Sequence, residues 1–335
     1  MSTEAARSLR PRPASPGPDA EQLRSAYLDL LRLALCDMVA SETETVVKNE
    51  RGYVSHPLPE EEIGQREVGR DWPLRGLTMV GYKRLGDLQE CLENIVADGI
   101  EGDVIEAGVW RGGASIFARA TLDSLGEHDR KVWLADSFAG LPQPDPGAFP
   151  EDHESTFHDE NYLAVPESAV LAGFERLGLD HDLEFVKGFF SDTMPQLTGR
   201  TWALIRLDGD MYESTWVTLE SLYPGLARGG YLIVDDYGAV EQCKQAVDDF
   251  REAHGITAPL EEIDWTCVRW RRDDDPQLGS GGEPQRRREA PFAAEPPPPA
   301  NVLTHREAAL LDRVQELERE LAERQTRRRR LLRRR

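Results

Sequence analysis

The feature that most constrains the fold is a repeated alternation of short apolar runs with helical segments between residues 103 and 272. Runs of this length are typical of buried strands and are too short for helices. The predicted strands are 103–109, 131–137, 183–188, 201–208 and 230–236, with a late strand or hairpin at 261–272. The predicted helices between them are 112–125, 168–179, 216–226 and 239–255. Strands that alternate with helices form a parallel sheet covered on both faces, so we predict an α/β fold.

The rest of the chain differs in character from this region. Residues 1–20 are rich in Pro, Ser and Ala and are predicted to be disordered. Residues 21–100 are predicted to form a helical cap, with helices near 20–40 and 81–98 on either side of a stretch too polar for a core element. The main domain is predicted at 101–273. A disordered linker at 274–304 and a charged helix at 305–335 follow it.

The charged helix carries an apolar seam at heptad spacing and ends in a basic tail. Its members are Leu303, Leu310, Val314, Leu317 and Leu321. Two or three heptads are a short coiled coil, so two hypotheses stay open. The helix pairs with a second copy or a partner protein, or it is a single solvated helix.

Charge and cysteine content restrict the class of protein. The chain of 335 residues has a net charge of −21, but residues 281–335 contain 14 arginines and 9 acidic residues, which leaves about −26 for the first 280. Such an acidic body would repel the phosphates of nucleic acid. The four cysteines show no CxxC pair, and neither a signal-peptide core nor a membrane-spanning apolar run is found. We therefore predict a cytoplasmic protein that does not bind nucleic acid.

Acidic residues follow two of the predicted strands. Asp208 and Asp210 come after the strand 201–208, and Asp235 and Asp236 end the strand 230–236. If these strands are neighbours, three carboxylates converge at the edge of the sheet where ligands bind in such folds. A hard divalent cation such as Mg²⁺ relieves their repulsion, and Asp210 could then take a proton from what the metal holds. Helix-capping aspartates would explain one or two of these residues, but not four.

Three further motifs suggest a nucleoside cofactor. In VIEAGVWRGGAS, at 104–115, Glu106 would repel a pyrophosphate and favour a cationic ligand, which disfavours an NAD-dependent enzyme. The alternative is that this segment is a tight strand–helix turn without a ligand. Asp136 ends the second strand and could accept two ribose hydroxyls, or it could cap a turn. After the third strand, Phe189 and Phe190 could flank an adenine while Ser191 or Asp192 bonds its edge. The alternative is that they are core and capping residues.

Taken together in order, these motifs resemble the macrocin O-methyltransferase family of sugar methyltransferases. The resemblance runs from about residue 24 to 272 and is carried by AYLDLLRLAL, LTMVGYKRL, VIEAGVWRGG, LADSFAGLP, VKGFFSDTMP, LIRLDGDMYEST and GGYLIVDDYG. It implies a class I S-adenosylmethionine-dependent fold, Rossmann-like with a mostly parallel seven-stranded sheet. It also implies Mg²⁺-dependent methylation of a hydroxyl, usually on a sugar of a secondary metabolite such as an antibiotic, or on a nucleotide or polysaccharide sugar.

The family's residue roles map onto matching positions. The implied cofactor-binding residues are Thr78, Met79, Glu106, Ala107, Gly108, Val109, Trp110, Asp136, Ser191 and Asp192. The implied metal ligands are Asp208, Asp235 and Asp236, and Asp210 matches the general base. The loop 138–166 and the N-terminal helix would cap the substrate, with His153 and His158 as candidate assistants. Catechol methylation and a non-catalytic scaffold assembled through the C-terminal helix remain alternatives.

Overall fold

The computed structural model describes residues 19–273 and 300–332, so the predicted disorder at 1–18 and 274–299 lies outside the described residues. The helices are α1 (Ala20–Leu35), α2 (Ile63–Glu67), α3 (Gly81–Ala97), α4 (Gly113–Ser124), α5 (Glu167–Leu177), α6 (Phe190–Thr193), α7 (Tyr212–Leu222), α8 (Glu241–Ala253) and α9 (His305–Leu332). The strands are β1 (Glu44–Asn49), β2 (Gly52–Pro57), β3 (Trp72–Pro73), β4 (Asp103–Ala107), β5 (Val132–Asp136), β6 (Leu183–Lys187), β7 (Trp202–Leu207), β8 (Leu226–Val234), β9 (Glu261–Glu262), β10 (Val268–Arg271) and β11 (Val302–Leu303).

The larger sheet has seven strands in the order β6-β5-β4-β7-β8-β10-β9. The first five are mutually parallel, whereas β10 runs antiparallel to β8 and β9 antiparallel to β10. The mostly parallel seven-stranded sheet is therefore confirmed. Because all five parallel strands end at the same edge, the loops that follow them meet there.

Successive residues of each central strand enter two different cores. Val104 belongs to one hydrophobic cluster with α1, α3 and α4, while Ile105 belongs to a second cluster with α7 and α8. Leu204 and Ile205 divide in the same way. This alternation explains why the strands are apolar throughout, since both faces are buried.

A second sheet replaces part of the predicted helical cap. The stretch judged too polar for a core element forms a hairpin, β1 with β2, in a sheet of order β11-β2-β1-β3. Its buried side chains include Val46 and Tyr53. The prediction was wrong here because the hairpin is stabilised by a few aromatic contacts and a buried arginine, Arg66, and not by a periodic apolar face.

The C-terminal extension differs from the prediction at its start. Val302 and Leu303 were placed in the linker and the helical seam, but they form a strand that pairs in parallel with Tyr53 and Val54 of β2. The predicted seam therefore loses Leu303. On α9, Leu310, Val314 and Leu317 are solvent-exposed. Pairing of this stripe with a second copy stays a prediction.

All four cysteines are buried free thiols. Across residues 19–273 and 300–332, none of the helices combines the length and apolar character needed to cross a membrane.

Candidate functional site

The acidic residues meet because β7 and β8 are neighbours in register, with Leu207 opposite Val234. The next residues, Asp208 and Asp235, therefore leave the sheet side by side. Carboxylate oxygens of Asp208, Asp235 and Asp236 all lie within 4.8 Å of one another. The structure thus brings together the three residues that the sequence suggested as metal ligands.

Asp210 lies beside this group in a constrained backbone conformation. Its φ is 57°, and its N–H donates to Oδ2 of Asp236 at 3.1 Å. Burial, followed by the charges of Asp208 and Asp235, raises the pKa of Asp210 to about 7. Burial and Asp235 raise the pKa of Asp208 to about 6, and burial with Asp210 raises the pKa of Asp236 well above its usual value. The cluster is therefore short of positive charge.

Two arginines that the sequence analysis did not single out hold the acidic cluster in place. Arg206 Nη1 donates to Oε1 of Glu106 and to Oδ2 of Asp208, both at 2.8 Å, and its Nη2 bonds Asp235. Arg84, from α3, bonds the other oxygen of Asp235. A charged residue inside the apolar run TWALIRLD was the available signal for Arg206. Because a carboxylate accepts about four hydrogen bonds, Asp208 and Asp235 keep acceptor capacity toward the cleft.

The glycine turn after β4 contacts the acidic cluster at the end of β7, which we call the acidic rim. Gly108 has a φ of 98°, and a Cβ at this position would lie 1.7 Å from the carbonyl oxygen of Asp208. The N–H of Asp208 in turn donates to the carbonyl of Ala107 at 2.8 Å. The turn and the acidic rim are therefore packed backbone against backbone, which only glycine permits.

Asp136 stabilises this turn from the neighbouring strand. Its Oδ2 accepts the N–H groups of Val109 at 2.7 Å and Trp110 at 3.3 Å, and its Oδ1 accepts that of Phe138 at 2.7 Å. Asp136 also lines the cleft at this edge of the sheet. The turn-capping interpretation is thus met, while its contact with a ribose stays a prediction.

Glu106 does not face the ligand side of the turn, as the sequence analysis expected. It is buried, and its carboxylate bonds Arg206 and the hydroxyl of Ser115. The strand direction explains this, because Glu106 lies inside β4 and not in the turn itself. Glu106 therefore does not present its charge to a ligand in the cleft, and this part of the prediction is wrong.

A cleft of about 400 Å³ joins the turn, the acidic rim and the loop 138–166. Of the predicted site residues, those that line it are Met79, Gly108, Val109, Trp110, Asp136, Asp208, Asp210, Asp235 and Asp236. The loop contributes Thr156, Phe157, Glu160 and Leu163, and the N-terminal part contributes Trp72. The loop 138–166 therefore lines the cleft, and its capping of a substrate stays a prediction. Helix α1 supplies none of the lining residues.

The other predicted residues lie away from the cleft lining. Thr78 is buried and its hydroxyl accepts the N–H of Val80, and Ala107 is buried within β4. Ser191 and Asp192 lie in α6, whereas the preceding Phe189 and Phe190 do line the cleft.

Neither candidate histidine of the loop lines the cleft. His153 is exposed, and its ring is bonded to the carbonyl of Pro150. The neighbouring Asp152 is instead fully buried and accepts the N–H groups of Tyr212 and Glu213 at the start of α7.

Fold and site together define a class I methyltransferase architecture, and comparisons with known proteins agree. Residues 24–272 match the family described as macrocin O-methyltransferase (TylF). A tetracenomycin-C rhamnosyl 4'-O-methyltransferase from Streptomyces olivaceus is 46% identical, covering 75% of this chain and 94% of its own length. Mycinamicin III 3''-O-methyltransferase from Micromonospora griseorubida is 41% identical, covering 73% and 96%. The solved structure of the O-methyltransferase NovP aligns with a TM-score of 0.68 at 40% identity, covering 75% of this chain and all of that one.

The chain belongs to the macrocin O-methyltransferase family. The family match ends at residue 272, so β11 and α9 lie outside it.

Proposed function

We propose that the protein is a Mg²⁺-dependent S-adenosylmethionine O-methyltransferase that methylates a sugar hydroxyl of a glycosylated secondary metabolite. The observation that carries the proposal is the convergence of Asp208, Asp235 and Asp236 within 4.8 Å, with Asp210 beside them on the cleft. An all-oxygen donor set of this kind suits Mg²⁺.

The choice of a sugar rests on the relatives. Their names specify methylation of a rhamnosyl tetracenomycin, of demethyldecarbamoylnovobiocin and of mycinamicin III. A cleft that combines aromatic side chains with a carboxylate, Glu160, supports an acceptor with both apolar faces and hydroxyl groups.

Each predicted residue has a role in this proposal. Asp208, Asp235 and Asp236 would hold the Mg²⁺, and Met79 with the turn Gly108–Trp110 would hold the cofactor beside Asp136. The other predicted cofactor-binding residues would act indirectly, by shaping the glycine turn and the part of the site that takes the adenine. They are Thr78, Glu106, Ala107, Ser191 and Asp192. Arg206 and Arg84 fix the orientation of Asp235, and Arg206 also that of Asp208, before any ligand arrives.

The chemistry assigned to the chain's own residues is proton removal and positioning. Bound Mg²⁺ would supply a Lewis acid that makes a sugar hydroxyl more acidic, and would also favour the ionised form of the nearby carboxylates. Asp210 accepts the hydroxyl proton. S-adenosylmethionine, when bound, would supply an electrophilic methyl group on sulfur, which would pass to the hydroxyl oxygen and leave a neutral thioether. Holding donor and acceptor in line accounts for the rest of the rate.

Replacing the proposed base tests its role. Asp210→Asn should lower kcat by about 10²- to 10⁴-fold, because the proton acceptor is lost. Calorimetry should show unchanged affinity for Mg²⁺ and for S-adenosylhomocysteine. The exposed Asp180 provides the matched control, Asp180→Asn, which should behave as the unmodified protein. Loss of both affinities in Asp210→Asn would make Asp210 a ligand or structural residue instead.

Removing the metal tests the other half of the proposal. EDTA should abolish turnover, Mg²⁺ should restore it, and Asp208→Asn should lose both turnover and calorimetric Mg²⁺ binding. Full turnover in EDTA would contradict the metal assignment. The acceptors should include each glycoside named for the relatives, its aglycone and a simple catechol. Methylation of the catechol alone would favour the phenolic alternative, and cofactor binding without methylation of any acceptor would favour the scaffold alternative.

A further inference from the structure

We propose that the start of the C-terminal extension, residues 300–304, acts as a brace that positions the aromatic wall of the cleft, formed by Trp72 and Trp110, and so sets the affinity for the acceptor. This inference rests on the proposed function for the identity of the acceptor. The structural part of the inference, that residues 300–304 position the wall, does not depend on the proposed function. These residues lie outside the family match.

The brace is attached to the small sheet at several points. Val302 and Leu303 pair in parallel with Tyr53 and Val54 of β2. Immediately after them, the N–H of His305 donates to the hydroxyl of Ser55 at 3.3 Å, and its ring Nδ1 lies 3.1 Å from Oε2 of Glu44. The brace is therefore part of the sheet and not a loosely attached tail.

The brace packs against an aromatic cluster. Val46, Tyr53 and Tyr162 are the buried members, and Ala300, Val302, Trp72 and Trp110 are among the half-buried residues that pack on them. Tyr162 stacks on Trp72 with ring centroids 5.3 Å apart. The ring centroids of Tyr162 and Trp110 are 5.7 Å apart, and Trp110 donates its indole N–H to the carbonyl of Tyr162 at 3.0 Å. One side of this cluster is covered by the brace, and two of its members, Trp72 and Trp110, line the cleft.

A hydrogen-bonded path runs through the same strand partner. Tyr53, opposite Val302, donates its hydroxyl to Oε2 of Glu160 at 2.6 Å, while Lys48 donates to Oε1 at 2.8 Å. Glu160 lies in the loop 138–166 and is one of the residues that line the cleft. Both oxygens of this cleft carboxylate are thus oriented by the hairpin that the brace completes.

The wall suits one face of a sugar. Flat aromatic rings offer a surface to the C–H face of a pyranose, and an oriented carboxylate accepts bonds from its hydroxyls. Trp110 also has attachments that do not depend on the brace, since its backbone N–H donates to Oδ2 of Asp136 and the guanidinium of Arg111 lies 4.2 Å from the centroid of its ring. We therefore expect the brace to influence the acceptor more than the cofactor.

The test uses the full chain with two pairs of matched variants. Val302→Asp places a charge against the aromatic cluster, and its control is Val314→Asp, the same change at an exposed position of α9. Tyr53→Phe removes only the bond to Glu160, and its control is Tyr82→Phe, which removes a hydroxyl of α3 that is bonded to Asp29 of α1. Val302→Ala is a milder version should Val302→Asp fail to fold by circular dichroism.

Hydrogen exchange without acceptor measures the structural half. Val302→Asp or Val302→Ala should speed exchange at residues 53–54 and at 157–163, and Val314→Asp should not. Kinetics measure the functional half. The acceptor KM should rise about tenfold in Val302→Asp and Tyr53→Phe, an effect equivalent to about 1.4 kcal/mol. The value of kcat and the affinity for S-adenosylhomocysteine should change by less than about twofold.

Each contrary outcome identifies what failed. Unchanged exchange at 157–163 in the Val302 variants would overturn the brace, whatever the kinetics. Faster exchange with an unchanged acceptor KM would overturn its influence on binding. If the unmodified protein methylates no glycoside, the proposed function fails, and the exchange result still decides whether the brace exists.

Discussion

The two sheets of the molecule are stabilised in different ways. In the seven-stranded sheet, β7 is buried at all six positions and its side chains divide between two cores. In the four-stranded sheet, only one of the six residues of β1 is buried, and the last three are exposed. The first sheet is stabilised by the large apolar surface that it buries, and the second is stabilised by a few specific contacts. This difference explains why one was readable from periodicity and the other was not.

The strongest test on the large sheet is Gly108→Ala. A Cβ 1.7 Å from the carbonyl oxygen of Asp208 forces two strand ends apart, so we expect a loss of more than about 4 kcal/mol in the free energy of unfolding. Gly126→Ala, at a similar positive φ but with nothing within 4 Å of the added carbon, should cost only about 1–2 kcal/mol. Urea unfolding measures both. Equal losses of unfolding free energy in the two variants would show that the strand ends at Gly108 and Asp208 can move apart at little cost.

The corresponding test on the small sheet is Arg66→Met. Arg66 is buried, pairs with Asp71 at 2.6 Å, and donates to the carbonyls of Cys36 and Glu44. Removing one member of a buried ion pair typically costs about 3–5 kcal/mol. Arg75→Met, at an exposed arginine of the same region, should change stability by less than about 0.5 kcal/mol. A small loss for Arg66→Met would mean that the aromatic cluster alone stabilises the hairpin.

The smallest expected effect is at Asp152, a residue of the loop 138–166 that also acts through a few specific contacts. Its carboxylate oxygens accept the first N–H groups of α7 at 2.8 and 2.9 Å, where α7 has no side-chain cap of its own. Asp152→Ala should therefore lower the free energy of unfolding by about 1–2 kcal/mol. Asp159→Ala, at an exposed loop aspartate, is the control and should have no measurable effect. A loss equal to that of the control would show that α7 begins without help from the loop.

Sequence reasoning recovered what strand order and strand ends determine. The positions of Asp208, Asp235 and Asp236 follow from two apolar runs that end in aspartates, once those runs are neighbours. The bonds of Arg206 to Glu106 and Asp235 could not be predicted in the same way, because they join residues 100 and 29 positions apart. The pairing of Val302 with Tyr53 joins still more distant residues, and no local pattern encodes such a contact.

The short β11 has a consequence for the behaviour of the protein at high concentration. Both outer strands of the four-stranded sheet, β11 and β3, are only two residues long. Open backbone groups on a long flat edge are a template for a foreign strand, and short edges offer little to pair with. Loss of the extension would leave the six-residue β2 as the outermost strand, and with it a surface on which chains could assemble into aggregates.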